Sequence, residues 1–529
     1  MNNQRGHDYY EAHAPDVTLG DITSCEHNKR ILQWLRDGND ERLNESAEII
    51  LDLQMNYEYG PYRHFHFRDF TFSKCNDLGW LGYFIGNSKY LRELVILGSA
   101  YEEDDEEEEQ RIIHALGDSI PRNQYIQQVS LRYLSNGGFA AIARTLSNMT
   151  QLEGLGVKGC MDNDNTLVTL LESGVKLKKL DLSENNVGND GLLTLAEALA
   201  DCTSIKTLVL SGNDLSMAAS GLGALSGWLQ RAGIQLDELR LDNCDLNDEC
   251  LHALIDEGVV NHCKCIYYFS NDQITTVGLR FLSTALQSER CCVEELNLSY
   301  MSIGDDGAEA LARGLVGNKT LRNLLLIYGQ DEEEEDISIT PAGWSAFSKV
   351  LCDTSSINNT YLSNHTVHEL WDDCYADSED IPQDLARFLL LNKTYPQHAA
   401  ICKILMSHSH LDMKPLLKWE LKFLPLAVGW FERAKLCVTL SIGENPILEE
   451  SDEVFESRIL TALYEFVRGA PKKVLERRGE LALAAAYDDK MKRLHEEVEK
   501  RDKEIDRLNK ENLRLRGIVE SVKKTVDYY

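Results

Sequence analysis

One apolar spacing recurs through the middle of the chain, and it constrains the fold more than any other feature of the sequence. Apolar residues stand at offsets 0, +3 and +5, usually followed by Asn or Cys at +8 and an aliphatic residue at +10. The clearest copies are Leu177-Leu180-Leu182-Asn185-Val187, Ile205-Leu208-Leu210-Asn213-Leu215 and Leu236-Leu239-Leu241-Cys244-Leu246. From Leu177 onward the predicted starts are 28, 31, 28, 29 and 28 residues apart. Such a period indicates stacked copies of one small unit.

Each copy is predicted to form one strand followed by one helix. Residues at +3 and +5 point to the same face of a strand, and the stretches 191–199 and 307–315 carry apolar residues at helical spacing. An Asn at +8 can satisfy backbone groups in the turn after the strand, and Cys244 can take that position as a small buried residue. Less regular copies are Val293-Leu296-Leu298 with Ile303 and the poor Lys264-Tyr267-Phe269 with Ile274, and weaker starts lie at Leu91, Ile126, Leu152, Leu321 and Ile357.

These residues resemble the ribonuclease-inhibitor-like leucine-rich-repeat family over roughly residues 65–370. The resemblance implies an α/β fold: a leucine-rich-repeat solenoid, a right-handed β-α horseshoe with a parallel sheet inside and helices outside. Because known members bind proteins, the resemblance also implies a recognition scaffold. It carries no catalytic residue over to this chain.

Three further segments are predicted outside the repeats. Residues 1–64 form a partly helical N-terminal segment, and residues 371–470 form helices that cap the last repeat, which would otherwise expose its core. The phrases TYLSNHTVHEL, LKFLPLAVGWFERA and LTALYEFVRG resemble uncharacterised diatom leucine-rich-repeat proteins with a C-terminal coiled coil. That resemblance implies no reaction.

Residues 471–529 are predicted to form a long coiled-coil helix, because apolar residues there alternate in steps of three and four. With Leu494 at position d, β-branched residues and Asn512 fall at position a, a combination that favours a parallel homodimer in fixed register. The predicted dimerisation residues are Leu494, Val498, Ile505, Leu508, Asn512, Leu515 and Val519. The alternative is a helix that lies on its own protein or pairs with a different chain.

The chain is strongly acidic, and part of that charge lies in two runs. The formal net charge is −32, and acidic runs occupy residues 102–109 and 331–336. Both runs fall in repeats that are longer than the rest, 35 residues from Leu91 to Ile126 and 36 from Leu321 to Ile357. Since each run follows a predicted strand, both should leave the same edge of the sheet, eight repeats apart. They either steer a basic partner or only keep the chain soluble.

The candidate binding residues are those at offsets +2, +4, +6 and +7, which the strand assignment places on the concave face. Tyrosine and arginine are frequent among them, and these residue types often dominate the binding energy of protein interfaces. The predicted partner-binding residues are Arg132, Tyr133, Lys158, Lys179, Asp181, Glu184, Arg240, Asp242, Tyr268, Glu295, Tyr300 and Tyr328. The alternative is a face that is merely solvated.

No catalytic or metal-binding motif stands out. The sequence holds no GxxxxGKS/T loop, no HExxH and no GxSxG. His262-Cys263-Lys264-Cys265 and Cys291-Cys292 are interpreted as buried structural residues, because zinc sites usually use CxxC spacing. We therefore expect no enzyme activity, no metal and no cofactor. One alternative is resemblance to Ran-type GTPase activators, which share this repeat class and an acidic segment; another is an adaptor for ubiquitin ligation, although residues 1–60 contain no recognisable F-box.

The remaining features predict an intracellular protein. No apolar stretch approaches the ~18 residues of a membrane helix, and MNNQRGHDYY lacks a signal-peptide core. The 14 cysteines should then be mostly reduced thiols. We expect a cytoplasmic protein, with nuclear entry left open, that binds an unidentified protein partner. The net negative charge disfavours nucleic acid and anionic membranes as partners.

Overall fold

The computed structural model describes residues 7–52, 68–72, 75–98, 113, 116, 119–160, 165–173, 175–268, 270–271, 273–326, 339–370, 382–408 and 507. These residues divide into two compact units, the first within 1–353 and 362–393 and the second within 354–361 and 394–529. The described residues do not include the two acidic runs, Tyr328 or the seven predicted dimerisation residues. Of the predicted coiled-coil helix, they include only Arg507.

The described part of the first unit contains one parallel sheet of eleven strands. The strands are β1 (Glu48–Asp52), β2 (Asp69–Thr71), β3 (Glu93–Leu97), β4 (Gln128–Arg132), β5 (Gly154–Lys158), β6 (Lys179–Asp181), β7 (Thr207–Val209), β8 (Leu236–Arg240), β9 (Cys263–Tyr267), β10 (Glu295–Asn297) and β11 (Asn323–Leu325). From β3 to β11 each strand pairs with the next in the chain, and β1 lies between β3 and β2 at the other end. This is the sheet of a leucine-rich-repeat solenoid.

Helices alternate with the strands. They are α1 (His7–His13), α2 (Leu19–Ile22), α3 (Glu26–Asp37), α4 (Glu41–Ser46), α5 (Leu78–Asn87), α6 (Asn136–Leu146), α7 (Asn165–Glu172), α8 (Asn189–Ala198), α9 (Ala219–Ala232), α10 (Asp248–Asp256), α11 (Thr276–Leu286), α12 (Gly304–Gly314), α13 (Pro341–Leu351), α14 (Ile357–Leu362), α15 (Gln383–Asn392) and α16 (Pro396–Ser407). Successive helices from α6 to α13 pack side by side. The predicted helices at 191–199 and 307–315 correspond to α8 and α12, so this prediction is confirmed.

The core follows the repeat spacing. The residues at 0, +3 and +5 of the three clearest copies are at most 1% exposed. They face the helices because alternate residues of a strand share one side of the sheet. The weaker starts at Leu91, Ile126, Leu152 and Leu321 are equally buried, two residues before β3, β4, β5 and β11.

The asparagines at +8 tie neighbouring repeats together. The side-chain oxygen of Asn213 accepts hydrogen bonds from the backbone N–H groups of Asn185 and Val187, both at 2.9 Å. Its amide nitrogen donates to the carbonyl oxygens of Leu182 at 2.9 Å and Leu210 at 2.6 Å. Each such residue therefore satisfies backbone groups of its own turn and of the preceding one, as the sequence predicted. Cys244 takes the same position, fully buried.

The predicted repeat at Lys264 is one residue out of register. Cys263 pairs with Leu236 in the sheet, and the buried residues are Cys263, Ile266 and Tyr268. The +8 position is then Asn271, whose oxygen accepts from the N–H groups of Cys244 and Leu246 at 3.1 and 3.0 Å. Offsets 0, +3, +5 and +8 of this repeat therefore match the other copies, with Lys264 one residue beyond the start, whereas the buried aliphatic residue Ile274 falls at +11.

The predicted start at Ile357 is wrong, because that residue begins α14. The next segment beside β11 is found near Glu369, which bridges to Asn323, and Leu326 donates to the Leu370 carbonyl at 3.1 Å. Val367 and Leu370 are fully buried at offsets 0 and +3. The side-chain oxygen of Asn364 accepts from the N–H of Val367 at 3.0 Å, as Asn318 does for Leu321 at 2.8 Å.

The sheet also extends further toward the N-terminus than the repeat spacing indicated. β1 lies inside the segment that the sequence assigned to a partly helical N-terminal region, and it pairs with β3 over five residues. Helices α1–α4 account for the helical part of that prediction. Within the described ranges, no helix combines the length and apolar content needed to cross a bilayer.

Candidate functional site

One side of the sheet carries the exposed strand residues in the described part of the chain, and we call it the open face. Along β4 the burial alternates: Val129 and Leu131 are buried, whereas Gln128 and Arg132 are exposed and Ser130 is half-buried. The exposed positions are at offsets +2, +4 and +6, because they alternate with core positions at +3 and +5. The sequence predicted binding residues at these offsets and at +7.

The parallel register arranges open-face residues in rows that run across the strands. One row at +2 contains Glu238, Cys265, Glu295 and Asn323, which are direct neighbours on β8 to β11. A second row at +4 places Asp181, Val209, Arg240 and Tyr267 side by side on β6 to β9. Side chains of adjacent strands in one row are close enough to interact.

At the carboxyl end of β4 to β6, Tyr133, Lys158 and Glu184 form a polar cluster that we call the Tyr133 cluster. The Tyr133 hydroxyl donates a hydrogen bond to Oε2 of Glu184 at 3.0 Å. Lys158 Nζ forms an ion pair with Oε1 of the same carboxylate at 2.8 Å and lies 5.9 Å from the centroid of the Tyr133 ring. The sequence predicted all three residues, and the structure brings them together.

Two glycines at +7 leave room for this cluster. Gly159 has φ +60° and Gly212 has φ +71°, a left-handed conformation that disfavours other residues. A Cβ atom on Gly159 would lie 2.5 Å from Cδ1 of Tyr133, and one on Gly212 would lie 2.9 Å from Cγ of Glu184. The Tyr133 ring therefore crosses a position where the intervening repeat has no side chain.

The pKa values within the Tyr133 cluster shift in directions that keep its charges in place. The hydrogen bond and charge of Lys158 lower the pKa of Glu184, and the Glu184 carboxylate raises the pKa of Lys158. Partial burial, followed by the hydrogen bond to Glu184, raises the pKa of Tyr133. Near neutral pH the cluster thus presents a neutral tyrosine and a compensated ion pair.

A second cluster lies on β8 to β10 and comprises Glu238, Arg240, Asp242, Tyr267 and Glu295; we call it the Arg240 cluster. Arg240 Nε donates to Asp242 Oδ2 at 3.0 Å, and its guanidinium carbon lies 4.8 Å from the Tyr267 ring centroid. Arg240 also lies 3.7 Å from Oε1 of Glu238. The Tyr267 hydroxyl donates to Glu295 Oε1 at 2.6 Å. Burial and the Glu295 hydrogen bond raise the pKa of Tyr267.

Tyr268 does not belong to the open face, contrary to the sequence prediction. Its side chain is 0% exposed in the core at offset +5, and burial raises its pKa. Tyr267 takes the predicted place, and sequence reasoning missed it because the register began at Lys264 instead of Cys263. The pair Cys263 and Asn271, at offsets 0 and +8, is the signal that identifies the correct register.

The other predicted residues have mixed environments. Arg132 and Lys179 are exposed on β4 and β6, and Asp181 accepts hydrogen bonds from the backbone N–H and hydroxyl of Ser183. Tyr300 is 41% exposed and has φ 57°. The structure thus brings together two groups of predicted residues, whereas Arg132, Lys179, Asp181 and Tyr300 lie outside both clusters.

The cysteines of this region have weakly acidic thiols. Burial raises the pKa of Cys263, and burial together with Glu295 and Glu238 raises the pKa of Cys265 to about 11. A thiol that stays protonated is a poor nucleophile and a poor metal ligand. Among the residues that the structure describes, no group of three or more His, Cys, Asp or Glu side chains could hold a metal ion.

Comparisons with known proteins agree with the fold. A family model described as "Leucine Rich repeat" matches residues 175–196 and 291–312. The chain is 29% identical to mouse ribonuclease inhibitor over 41% of this chain and 46% of that protein, and 27% identical to the pig inhibitor over 49% and 54%. It is 28% identical to mouse NACHT, LRR and PYD domains-containing protein 4E, over 40% of this chain and 21% of that protein. The matched region thus spans about half or less of each relative's length.

The repeat spacing, the parallel sheet and these matches define the class of protein: the chain is a leucine-rich-repeat protein. Within that class it is similar to the mouse and pig ribonuclease inhibitors, over 221 and 262 residues respectively.

Proposed function

We propose that the protein is a non-enzymatic interaction scaffold that binds a protein partner on its open face. The observation that carries this proposal is the pair of clusters on that face, in which tyrosine and arginine side chains are held in place by neighbouring carboxylates. Side chains that are already ordered lose less conformational entropy when a partner binds. Aromatic and arginine anchors of this kind often dominate the binding energy of an interface. The names of the matched ribonuclease inhibitors describe proteins that act on another protein.

A direct binding measurement tests the proposal. A partner is first identified by affinity purification with the full chain and then purified. Its affinity is measured for the intact protein and for Tyr133→Ala combined with Arg240→Ala. We expect at least a roughly tenfold loss, about 1.4 kcal/mol, because both anchors are removed.

The matched control is Arg144→Ala combined with Arg280→Ala, which removes two exposed side chains from α6 and α11. This control should change the affinity by less than about threefold. If the helix variant weakens binding and the open-face variant does not, the proposed binding face is wrong. A GTP-hydrolysis assay with candidate small GTPases tests the activator alternative, and we expect no acceleration.

We also propose that residues 471–529 dimerise the chain through the predicted coiled coil. The support is the heptad spacing of Leu494, Val498, Ile505, Leu508 and Leu515 with Asn512 at position a. Two copies would raise the avidity for a repeated target. Light scattering of the full chain at micromolar concentration should give the mass of a dimer, and Asn512→Ile should broaden the distribution of oligomers. A monomer mass would exclude the homodimer.

A further inference from the structure

On β4 to β6 and the turns that follow them, the open face carries three cations, Arg132, Lys158 and Lys179, and two carboxylates, Asp181 and Glu184, an excess of one positive charge. Arg132 and Lys179 are exposed there, and neither forms an ion pair with any residue that the structure describes. Of the two carboxylates, Glu184 binds Lys158 and Tyr133, and Asp181 accepts hydrogen bonds from Ser183, so neither forms an ion pair with Arg132 or Lys179. These two cations are therefore available to a carboxylate from outside the chain.

The opposite imbalance occurs on β8 to β10. The Arg240 cluster contains three carboxylates, Glu238, Asp242 and Glu295, and one cation, Arg240. Nearby, Cys265 lies between Glu238 and Glu295 in the register, and after burial these carboxylates are the main cause of its raised pKa. This part of the face therefore has a net negative potential that a lysine or arginine from outside could neutralise.

An uncharged strand separates the two regions. The open-face residues of β7 and the turn that follows it are Thr207, Val209 and Ser211. Neighbouring strands are about 4.8 Å apart, so the centres of the two regions, on β5 and β9, are about 19 Å apart, whereas the nearest opposite charges, Lys179 and Glu238, are two strands apart in the same row, about 10 Å. Since charges at the distance between the centres are largely screened from one another in physiological salt, each centre acts on a ligand separately.

We propose that the partner is a protein segment with charges arranged in the opposite order. This inference rests on the proposed function and specifies the partner's chemistry. Carboxylates of the segment face Arg132 and Lys179, its lysines or arginines face Glu238 and Glu295, and uncharged residues cover β7. A nucleic acid, which has charge of one sign, would be repelled by β8 to β10, and a uniformly basic protein would be repelled by β4 to β6. A helix of about 13 residues spans the required 19 Å.

A synthetic helical peptide tests this arrangement. The probe has a glutamate block and a lysine block with centres about 13 residues apart, and it is mixed with the full chain at low salt. A carbodiimide then joins carboxylates to amines that are in contact, and mass spectrometry locates the bonds. We expect the peptide glutamates to cross-link to Lys179 or Lys158 and the peptide lysines to cross-link to Glu238 or Glu295. These cross-links should be about fivefold more abundant than those at other pairs. Bonds spread evenly over the acidic surface, or none at these residues, would overturn the proposal.

Charge variants separate the two ends. Arg132→Glu should lower cross-linking of the peptide to Lys179 about fivefold and leave cross-linking to Glu238 unchanged. Conversely, Glu238→Gln should lower cross-linking to Glu295 and leave cross-linking to Lys179 unchanged. The matched control is Arg144→Glu with Arg280→Glu on the helices, which should leave both ends unchanged. One outcome is that the peptide fails to cross-link at the expected residues while Tyr133→Ala with Arg240→Ala still weakens the binding of a purified partner. In that case the proposed order of charges in the partner is wrong and the proposed function stands.

Discussion

Tyr133 and Glu184 form a 3.0 Å hydrogen bond although 51 residues separate them in the sequence. They occupy the same +7 offset in repeats that are not adjacent, and Gly159 holds that offset in the repeat between them. The contact therefore depends on three successive repeats, and a change at the middle one should affect both partners.

Gly159→Ala should destabilise the protein because alanine is strained at φ +60° and its Cβ would meet the Tyr133 ring. We expect the free energy of unfolding to fall by about 2 kcal/mol. The matched control is Gly233→Ala, where φ is +62° and nothing lies within 4 Å of the added Cβ. Gly233→Ala should lower the free energy of unfolding by only about 1 kcal/mol. Equal losses in urea denaturation would show that the ring contact contributes nothing.

Asn213→Ala should be more damaging, because four buried backbone groups lose their hydrogen bonds to this side chain, and among them only the Leu210 carbonyl keeps a contact with the Cys244 thiol. We expect a loss of about 3 kcal/mol in the free energy of unfolding. Asn213→Cys should cost less, since Cys244 occupies the equivalent position and its thiol lies 3.3 Å from the Leu210 carbonyl oxygen. Thermal unfolding monitored by circular dichroism measures the stability of both variants. A cysteine variant as unstable as the alanine variant would contradict this explanation.

Two neighbouring tyrosines should respond in opposite ways to loss of their hydroxyl groups. The Tyr268 hydroxyl is buried and has no hydrogen-bond partner within the described part of the chain, so Tyr268→Phe should stabilise the protein by about 1 kcal/mol. Tyr267→Phe removes the 2.6 Å bond to Glu295 and should destabilise it by about 1 kcal/mol. Urea denaturation of the two variants side by side measures their free energies of unfolding. Changes of the same sign in the two variants would refute the prediction.

Asp305 should make stability depend on pH in acid. Hydrogen bonds from the hydroxyl and N–H of Thr340, and from the N–H of Gly343, hold the pKa of Asp305 below its usual 3.8. Because the folded pKa is lowered, this contribution is present above pH 3.8 and is lost as pH falls through the folded value. Asp305→Asn should therefore lower the free energy of unfolding by about 1 kcal/mol near neutral pH, and by progressively less as the pH falls below 3.8. The control Asp306→Asn removes a charge from the same turn without removing the hydrogen bonds from Thr340 and Gly343, and both variants are compared by unfolding between pH 7 and 2.

The core could be predicted from the sequence because the same alternation that positions Leu180 and Leu182 inside is visible as a spacing. The repeat at Cys263 was misplaced because cysteine replaces the first aliphatic residue and three aromatic residues, Tyr267 to Phe269, fit either register. The hydrogen bonds of Asn271 decide between the two registers. At Ile357 the spacing failed because α14 intervenes before Val367 continues the pattern beside β11.

The open-face residues could be predicted one by one, whereas their contacts could not. Offsets identify Tyr133, Lys158 and Glu184, but their meeting depends on the left-handed backbone of Gly159 and on side chains from three strands. Likewise, the stacking of Arg240 on Tyr267 depends on the register between β8 and β9.

The alternation along strands such as β4 divides each repeat into two sets of positions. Offsets 0, +3, +5 and +8 hold the repeats together, and exposed residues are found mainly at +2, +4 and +6, with buried exceptions such as Val209 and Asp242. An exposed residue at these three offsets can change without loss of the fold, whereas the left-handed backbone at +7 restricts which residues fit there. If the open face binds a partner as proposed, each repeat added to such a chain extends that face by one stripe of exposed residues that can vary independently of the core.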